Sequence, residues 1–153
     1  MTETPAAEGR IVVGVDGSPA SILALRWAAR LVPELGTSIA AVTAWQTQIA
    51  VGTFVPVEWE PEKWAEQIVA DAVTEAFGDK EPCQVQTLTR RGQAARVLID
   101  ESATAALVVV GSRGHGGFAG LLLGSVSSAV AEHAHCAVLI ARGDGEPADQ
   151  PAT

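Results

Sequence analysis

The feature with the clearest chemical potential is a glycine-rich segment between Gly111 and Gly124, which holds six of the fifteen glycines in the chain. Glycine allows the backbone to take positive φ and lets a ligand approach the amide groups closely. Successive N–H groups can then turn inward and bind an anion. The segment leads into a predicted helix at Ser125, where unpaired N–H groups and the helix dipole favour phosphate. We therefore predict a phosphate-binding loop, with a plain flexible connector as the alternative.

Two common phosphate-binding patterns fit this segment poorly. The Walker pattern requires a lysine before Ser or Thr, and the segment contains no lysine. A dinucleotide pattern can be aligned with Gly114, Gly116 and Ala119, but it lies in the last strand–helix unit instead of the first. The acidic residue expected about 20 residues later is also missing.

The elements that must position this loop alternate along the chain. Predicted strands cover residues 11–15, 38–45, 84–89, 105–110 and 137–141, and predicted helices cover residues 19–32, 58–77, 93–102 and 125–133. Ser18 followed by Pro19 predicts the start of the first helix, and Pro33 and Gly36 predict its end. Alternating elements with nearly continuous apolar strands indicate parallel strands covered by helices on both faces. The predicted fold is α/β, with a single doubly wound, Rossmann-like parallel sheet of five strands.

Composition excludes several classes of protein. Of the 153 residues, 48% are hydrophobic and 18% charged, which suits one folded domain. Ten basic against eighteen acidic residues give a net charge of −8, which argues against a nucleic-acid partner. The longest apolar run, Ala105 to Val110, is far shorter than the ~20 residues of a membrane-spanning helix.

The termini and the cysteines indicate the compartment. Two cysteines, Cys83 and Cys136, cannot form a disulfide framework and suit a reducing environment. The first ten residues lack the apolar centre of a signal peptide, so we expect a cytoplasmic protein. Residues 1–9 and 143–153 are expected to be disordered tails flanking one folded domain at 10–142. The alternative for the second, acidic tail is a docking segment.

The glycine spacing resembles a known family. The pattern Gly-x2-Gly-x9-Gly-Ser at Gly111, Gly114, Gly124 and Ser125 is similar to that of the universal stress protein family, in its ATP-binding branch. The similarity extends over residues 10–142 and includes the stretches 12–19, 108–114, 122–126 and 133–136. It implies a sheet of order 3-2-1-4-5, bound ATP, and a homodimer that pairs through the strand at 137–141.

The same resemblance implies a set of nucleotide contacts. The turn after the first strand would supply Gly14, Val15 and Asp16, and the end of the second strand would supply Ala44 for adenine. Ribose and phosphate contacts would come from Val110, Gly111, Gly114, Gly124, Ser125 and Val126. Arg113 could pair with a phosphate or face solvent. Asp16 could contact the nucleotide or hold Mg²⁺ beside it, and its alternative role is that of a turn residue that caps the following helix.

Other residues that invite a functional reading have structural alternatives. His133 and His135 next to Cys136 are better explained by a histidine that offsets a helix dipole than by a metal site. The four tryptophans, Trp27, Trp45, Trp59 and Trp64, are predicted to be packing residues. Trp45 closes the second strand, so stacking on the base is its alternative role.

The loop lacks the groups that fast ATP hydrolysis requires. Catalysis needs a positioned base and usually an acidic metal ligand, and no Asp, Glu or Lys lies between Gly111 and Ser128. We therefore expect a regulatory stress-response protein that binds ATP, AMP or cyclic AMP with slow or no hydrolysis, not an enzyme. One alternative is a nucleotide-free homodimeric interaction module. A second is a ligase-type enzyme that uses ATP.

Overall fold

The computed structural model describes residues 9–35, 38–46, 60–113 and 123–143. The strands are β1 (Ile11–Gly14), β2 (Ser38–Trp45), β3 (Gln84–Arg91), β4 (Leu107–Gly111) and β5 (Ala137–Ala141), and the helices are α1 (Pro19–Leu35), α2 (Pro61–Phe77), α3 (Ala94–Ser102) and α4 (Ser125–His133). All strand pairs are parallel, and the sheet order is β3-β2-β1-β4-β5. This confirms the doubly wound α/β fold and the strand order.

Two apolar layers cover the sheet. On one face, Ile11 and Val13 of β1 pack with α1 and α2 in the larger cluster of buried residues. On the other face, Val12 packs with Leu98 of α3 and Val130 of α4. Ile11, Val12 and Val13 are each 0% exposed, because their side chains alternate between the two faces of the sheet and helices cover both faces. Burial on both faces explains why β1 and β4 are apolar without alternation.

The start of α1 follows the local signal, and its end follows one of the two predicted signals. Ser18 accepts a hydrogen bond from the N–H of Ser21 at its side-chain oxygen, at 3.2 Å, which is the expected cap. The helix does not end at Pro33, as the predicted range of 19–32 required, but continues to Leu35, the residue before Gly36. A proline in the last turn removes a single hydrogen bond, and packing of α1 on the sheet compensates for it.

The other boundaries differ from prediction by a few residues. Helix α2 begins at Pro61 with Glu60 as its N-cap and ends before Gly78, whose φ of 65° is accessible mainly to glycine. Strand β3 continues to Arg91, and β4 begins at Leu107 because the preceding residues belong to the turn after α3. None of the helices within the described ranges is long and apolar enough to span a bilayer.

The tryptophans have different environments. Trp27 is partly buried and packs against the larger cluster, as predicted. Trp64 on α2 is 53% exposed, so the prediction of a packing role is wrong there. Its neighbour Ala65 is fully buried, which means that the helix turns Ala65 and not Trp64 towards the sheet. Trp59 lies outside the described residues.

Both cysteines are free and half-buried. Cys83 immediately precedes β3 and Cys136 immediately precedes β5, so the two lie at opposite edges of the sheet and cannot pair. Burial raises the pKa of each thiol above its ordinary value. At neutral pH both groups are therefore protonated, which makes them poor nucleophiles.

Two glycines at the strand ends are required by packing. A Cβ added at Gly111 would lie 2.5 Å from the Cβ of Ala20 and 2.8 Å from its backbone carbonyl. A Cβ added at Gly14 would lie 2.7 Å from Cδ1 of Leu98, which is the mobile end of a long side chain. The end of β4 thus touches the backbone of α1, whereas the end of β1 touches the side chains of Leu98 and Val110 and no backbone within this distance.

We expect Gly111→Ala to lower the free energy of unfolding by about 2–3 kcal/mol, since backbone must move to admit the methyl group. Gly14→Ala, where Leu98 can change rotamer, is expected to lower it by about 1 kcal/mol. Urea unfolding followed by circular dichroism measures both values. Equal losses for the two variants would contradict this difference in packing.

Candidate functional site

The order of the strands opens a crevice at one edge of the sheet. From β1 the chain proceeds outward through β2 to β3, and from β4 it proceeds in the opposite direction to β5. β1 and β4 are paired neighbours, with Val13 opposite Val109. The helices that follow them, α1 and α4, pack on different faces of the sheet. Ligands of open parallel sheets bind at such a switch point, beyond the carboxyl ends of the strands. The residues that follow β1, β2 and β4 are therefore the candidates for function.

The turn after β1 is held by hydrogen bonds to neighbouring elements. The N–H of Val15 donates to the carbonyl of Val42 at 2.9 Å, and the carbonyl of Val15 accepts from the hydroxyl of Thr43 at 2.8 Å. Oδ1 of Asp16 accepts from the N–H of Ser18 at 2.9 Å. Asp16 is half-buried and performs the turn-stabilising role that was its structural alternative. Contact between Asp16 and a nucleotide or Mg²⁺ stays a prediction.

Several predicted contact residues have their side chains, or for glycine the Cβ direction, pointing into the core. Val110 is 3% exposed and packs on the face that carries α3, and Val15 is 4% exposed on the face that carries α1. The Cβ directions of Gly14 and Gly111 are filled by Leu98 and Ala20. The main chain of these four residues, and not a side chain, is the part that can face the crevice.

The end of β2 supplies the predicted base side. Ala44 packs against the α3 side of the sheet and is partly buried. The carbonyl of Trp45 accepts from the N–H of Gly92 at 2.8 Å, which ties the end of β2 to the turn after β3. The guanidinium carbon of Arg91 lies 5.9 Å from the centre of the Trp45 ring, within cation–π range. The ring is thus already in contact with a cation of its own sheet.

The phosphate side is formed by the end of β4 and the start of α4. Helix α4 begins at Ser125, as predicted, with Gly124 as an N-cap that has no side-chain hydrogen bond. The first N–H groups of a helix have no acceptor within that helix, which holds for those of Ser125, Val126 and Ser127, and such groups can bind an anion. Ser125 is exposed and Val126 half-buried. This donor set suits phosphate oxygens.

Hydrogen bonds join the two ends of the glycine-rich segment. The carbonyl of Ser112 accepts from the N–H of Gly124 at 2.7 Å and from the hydroxyl of Ser127 at 3.1 Å. Arg113 is exposed. Gly114 lies outside the described residues, as do the other residues from 115 to 122. The predicted contribution of Gly114 therefore stays a prediction.

Charged groups are sparse around the crevice. Among described residues at positions 15–18, 46, 112–113 and 123–127, the ionisable side chains are those of Asp16 and Arg113. No group of three or more His, Cys, Asp or Glu residues that could hold a metal ion occurs within the described ranges. The described part of the crevice therefore acts on a ligand mainly through main-chain dipoles and hydroxyl groups.

The structure adds residues that the sequence reasoning missed. Thr43 is 2% exposed and Ser127 is 2% exposed, and each hydroxyl joins two different elements at the crevice. Thr43 could have been found from the sequence, because it is a polar residue within the apolar run of β2. Ser127 lies among other serines of α4, and no local signal distinguishes it from Ser128.

Comparisons with known proteins agree with this geometry. The family model described as the universal stress protein family matches residues 9–142. The chain is 39% identical over 136 residues to the universal stress protein Rv2623 of Mycobacterium tuberculosis. The matched region covers 86% of this chain but 44% of that protein. The chain thus spans less than half the length of that relative.

Solved structures share the fold. Universal stress protein UspA from Lactobacillus plantarum superposes with a TM-score of 0.65 at 19% identity, covering 87% of this chain and 97% of that chain. A universal stress protein crystallised in complex with cAMP superposes with a TM-score of 0.58 at 27% identity, covering 90% of this chain and 98% of that chain. Since the family model spans most of the sequence, the chain belongs to the universal stress protein family.

Proposed function

We propose that the chain binds an adenine nucleotide in the crevice between β1 and β4 and acts as a nucleotide-dependent regulatory protein in a stress response. The observation that carries the proposal is the start of α4 beside the end of β4, which has no side-chain cap and whose first N–H groups have no acceptor within the helix. The family membership and the cAMP complex of a similar protein support the choice of an adenine nucleotide. ATP is the first candidate, with AMP and cyclic AMP as the others.

The regulatory role follows from the scarcity of catalytic groups. An ATPase needs a group that orients or activates water and acids that hold Mg²⁺. The described border of the crevice offers a single carboxylate, Asp16, and its Oδ1 already accepts from the Ser18 N–H. Mg²⁺ could accompany the nucleotide at Asp16, but one carboxylate makes a poor catalytic metal site. We therefore propose slow or no hydrolysis.

We also propose a homodimer formed through the outer edge of β5. This strand, Ala137–Ala141, has only apolar residues, whereas the opposite edge strand ends in Arg90 and Arg91. The carbonyl of Ala141 points to β4, where it accepts from Ser112, so by alternation the N–H and C=O of Ile140 point outward. An apolar edge with free main-chain groups favours pairing with a second copy.

The proposed phosphate position can be tested with a charge at the helix start. We expect Gly124→Asp to weaken ATP binding at least about tenfold, because a carboxylate at the N-cap occupies the free N–H groups and repels phosphate. Because Asp is a good N-cap, the midpoint of thermal unfolding should stay equal or rise. Isothermal titration calorimetry measures the affinity.

The matched control is Ala131→Asp, which adds the same charge at an exposed position of the same helix, about 10 Å further along its axis. It should change ATP affinity by no more than about twofold, since charges about a Debye length of 10 Å apart are largely screened. Equal losses in both variants would show that net charge, and not the helix start, matters. A wild-type protein that binds no adenine nucleotide would favour the interaction-module alternative.

Hydrolysis by the wild-type protein is expected to be at least about a thousandfold slower than the typical enzyme turnover of roughly 10 s⁻¹. Asp16→Asn keeps the acceptor for the Ser18 N–H and removes the carboxylate that could hold Mg²⁺, so it should only lower this already slow rate. Phosphate release under multiple-turnover conditions measures both. Rapid hydrolysis that Asp16→Asn abolishes would show that the protein is an enzyme.

The dimer is tested by removing one outward N–H group. Ile140→Pro should convert the protein to a monomer in sedimentation velocity experiments at micromolar concentration, because proline cannot donate to a partner strand. Ile140→Val keeps the N–H group and should remain dimeric. A monomeric wild-type protein, or a dimer that survives Ile140→Pro, would contradict pairing through β5.

A further inference from the structure

Buried hydroxyl groups are concentrated at the edge of the sheet that carries the crevice. The buried polar residues in the described part of the chain are Ser18, Ser21, Thr43, Ser102 and Ser127. All but Ser102, the last residue of α3, lie at the carboxyl ends of strands or in the helix turns beside them. Because a buried hydroxyl is tolerated only where it is hydrogen-bonded, its position indicates a specific role.

These hydroxyl groups do different work. Ser18 and Ser21 hydrogen-bond within the first turn of α1 and stabilise that helix alone. The hydroxyl of Thr43 joins β2 to the end of β1, on the predicted base side of the crevice. The hydroxyl of Ser127 joins α4 to the end of β4, on the predicted phosphate side. Thr43 and Ser127 therefore stabilise separate halves of the crevice.

The hydroxyl of Ser127 fixes the start of α4. It lies 3.1 Å from the carbonyl oxygen of Ser112 and 3.1 Å from that of Gly124, and it shares its proton between them. The same Ser112 carbonyl accepts from the N–H of Gly124 at 2.7 Å, and the N–H of Ser112 donates to Ala141 at 2.9 Å. The Ser112 peptide groups are thus held from the β5 side and from the α4 side.

Two carbonyl groups engage the only proton of this hydroxyl, so it is not available as a donor to a ligand. Its effect on a ligand is instead indirect. Holding Gly124 and the first turn of α4 against the end of β4 sets the direction of the free N–H groups of Ser125 and Val126. Dipoles that are oriented before binding stabilise a charge better than dipoles that must reorganise.

We propose that Ser127 is a positioning residue for phosphate binding: its hydroxyl anchors the start of α4 to Ser112 so that the free N–H groups of the helix point at the phosphates. The proposal rests on the adenine nucleotide proposed above. Removal of the hydroxyl should therefore weaken binding of the phosphates and not of the nucleoside, because Thr43 stabilises the other half of the crevice.

The test compares Ser127→Ala with Ser128→Ala, which removes an exposed hydroxyl one residue further along the same helix. Isothermal titration calorimetry with ATP and, separately, with adenosine measures the affinities. We expect Ser127→Ala to weaken ATP binding about fivefold or more, the effect of one lost hydrogen bond, and to leave adenosine binding within about twofold. Ser128→Ala should change neither affinity.

A purely structural role for Ser127 would weaken both ligands equally, and that result would overturn the proposal. Full ATP affinity in Ser127→Ala would also overturn it. Ser127→Thr, which keeps the hydroxyl, should bind ATP more tightly than Ser127→Ala, and equal binding would contradict the role of the hydroxyl. If the wild-type protein binds neither ATP nor adenosine, the proposed function itself fails. If the wild-type protein binds ATP and Ser127→Ala binds it equally well, only the role of Ser127 fails.

Discussion

Burial of the central strands of a parallel sheet on both faces is the constraint on which the rest of this structure depends. Ile11, Val12 and Val13 of β1 and Val108 and Val109 of β4 are all 0% exposed, so these two strands cannot present functional side chains. In a parallel sheet all carboxyl ends lie at one edge, and the reversal of strand order opens that edge between β1 and β4. Polar chemistry is therefore confined to the residues immediately after the strands.

The described border of the crevice is made of main-chain and hydroxyl groups more than of charged side chains. Thr43 and Ser127 each donate to a carbonyl at the end of a neighbouring strand, and α4 begins without a side-chain cap. Main-chain dipoles that are fixed before a ligand arrives can bind an anion without exchanging protons with it. Such a site suits retention of a nucleotide better than hydrolysis of one, which is the basis of the proposed regulatory role.

Much of the fold was predictable because helix starts and strand positions depend mainly on interactions between residues that are close in sequence. Ser18 before Pro19 predicted the start of α1, and the bounds of α4 and β5 were predicted to the residue. Predictions failed where packing decided the outcome. Pro33 lies within α1 because the helix rests on the sheet, and the orientation of α2 leaves Trp64 exposed, which composition could not indicate.

Periodicity and glycine spacing were sufficient to predict the fold class and the start of α4, where we propose that a phosphate binds. They were not sufficient to show why the individual residues are there. Gly111 is required by its contact with Ala20, and Ser127 differs from Ser128 only because it meets Ser112. These contacts join residues from separate elements, and only the packing of helices onto a twisted sheet brings such residues together.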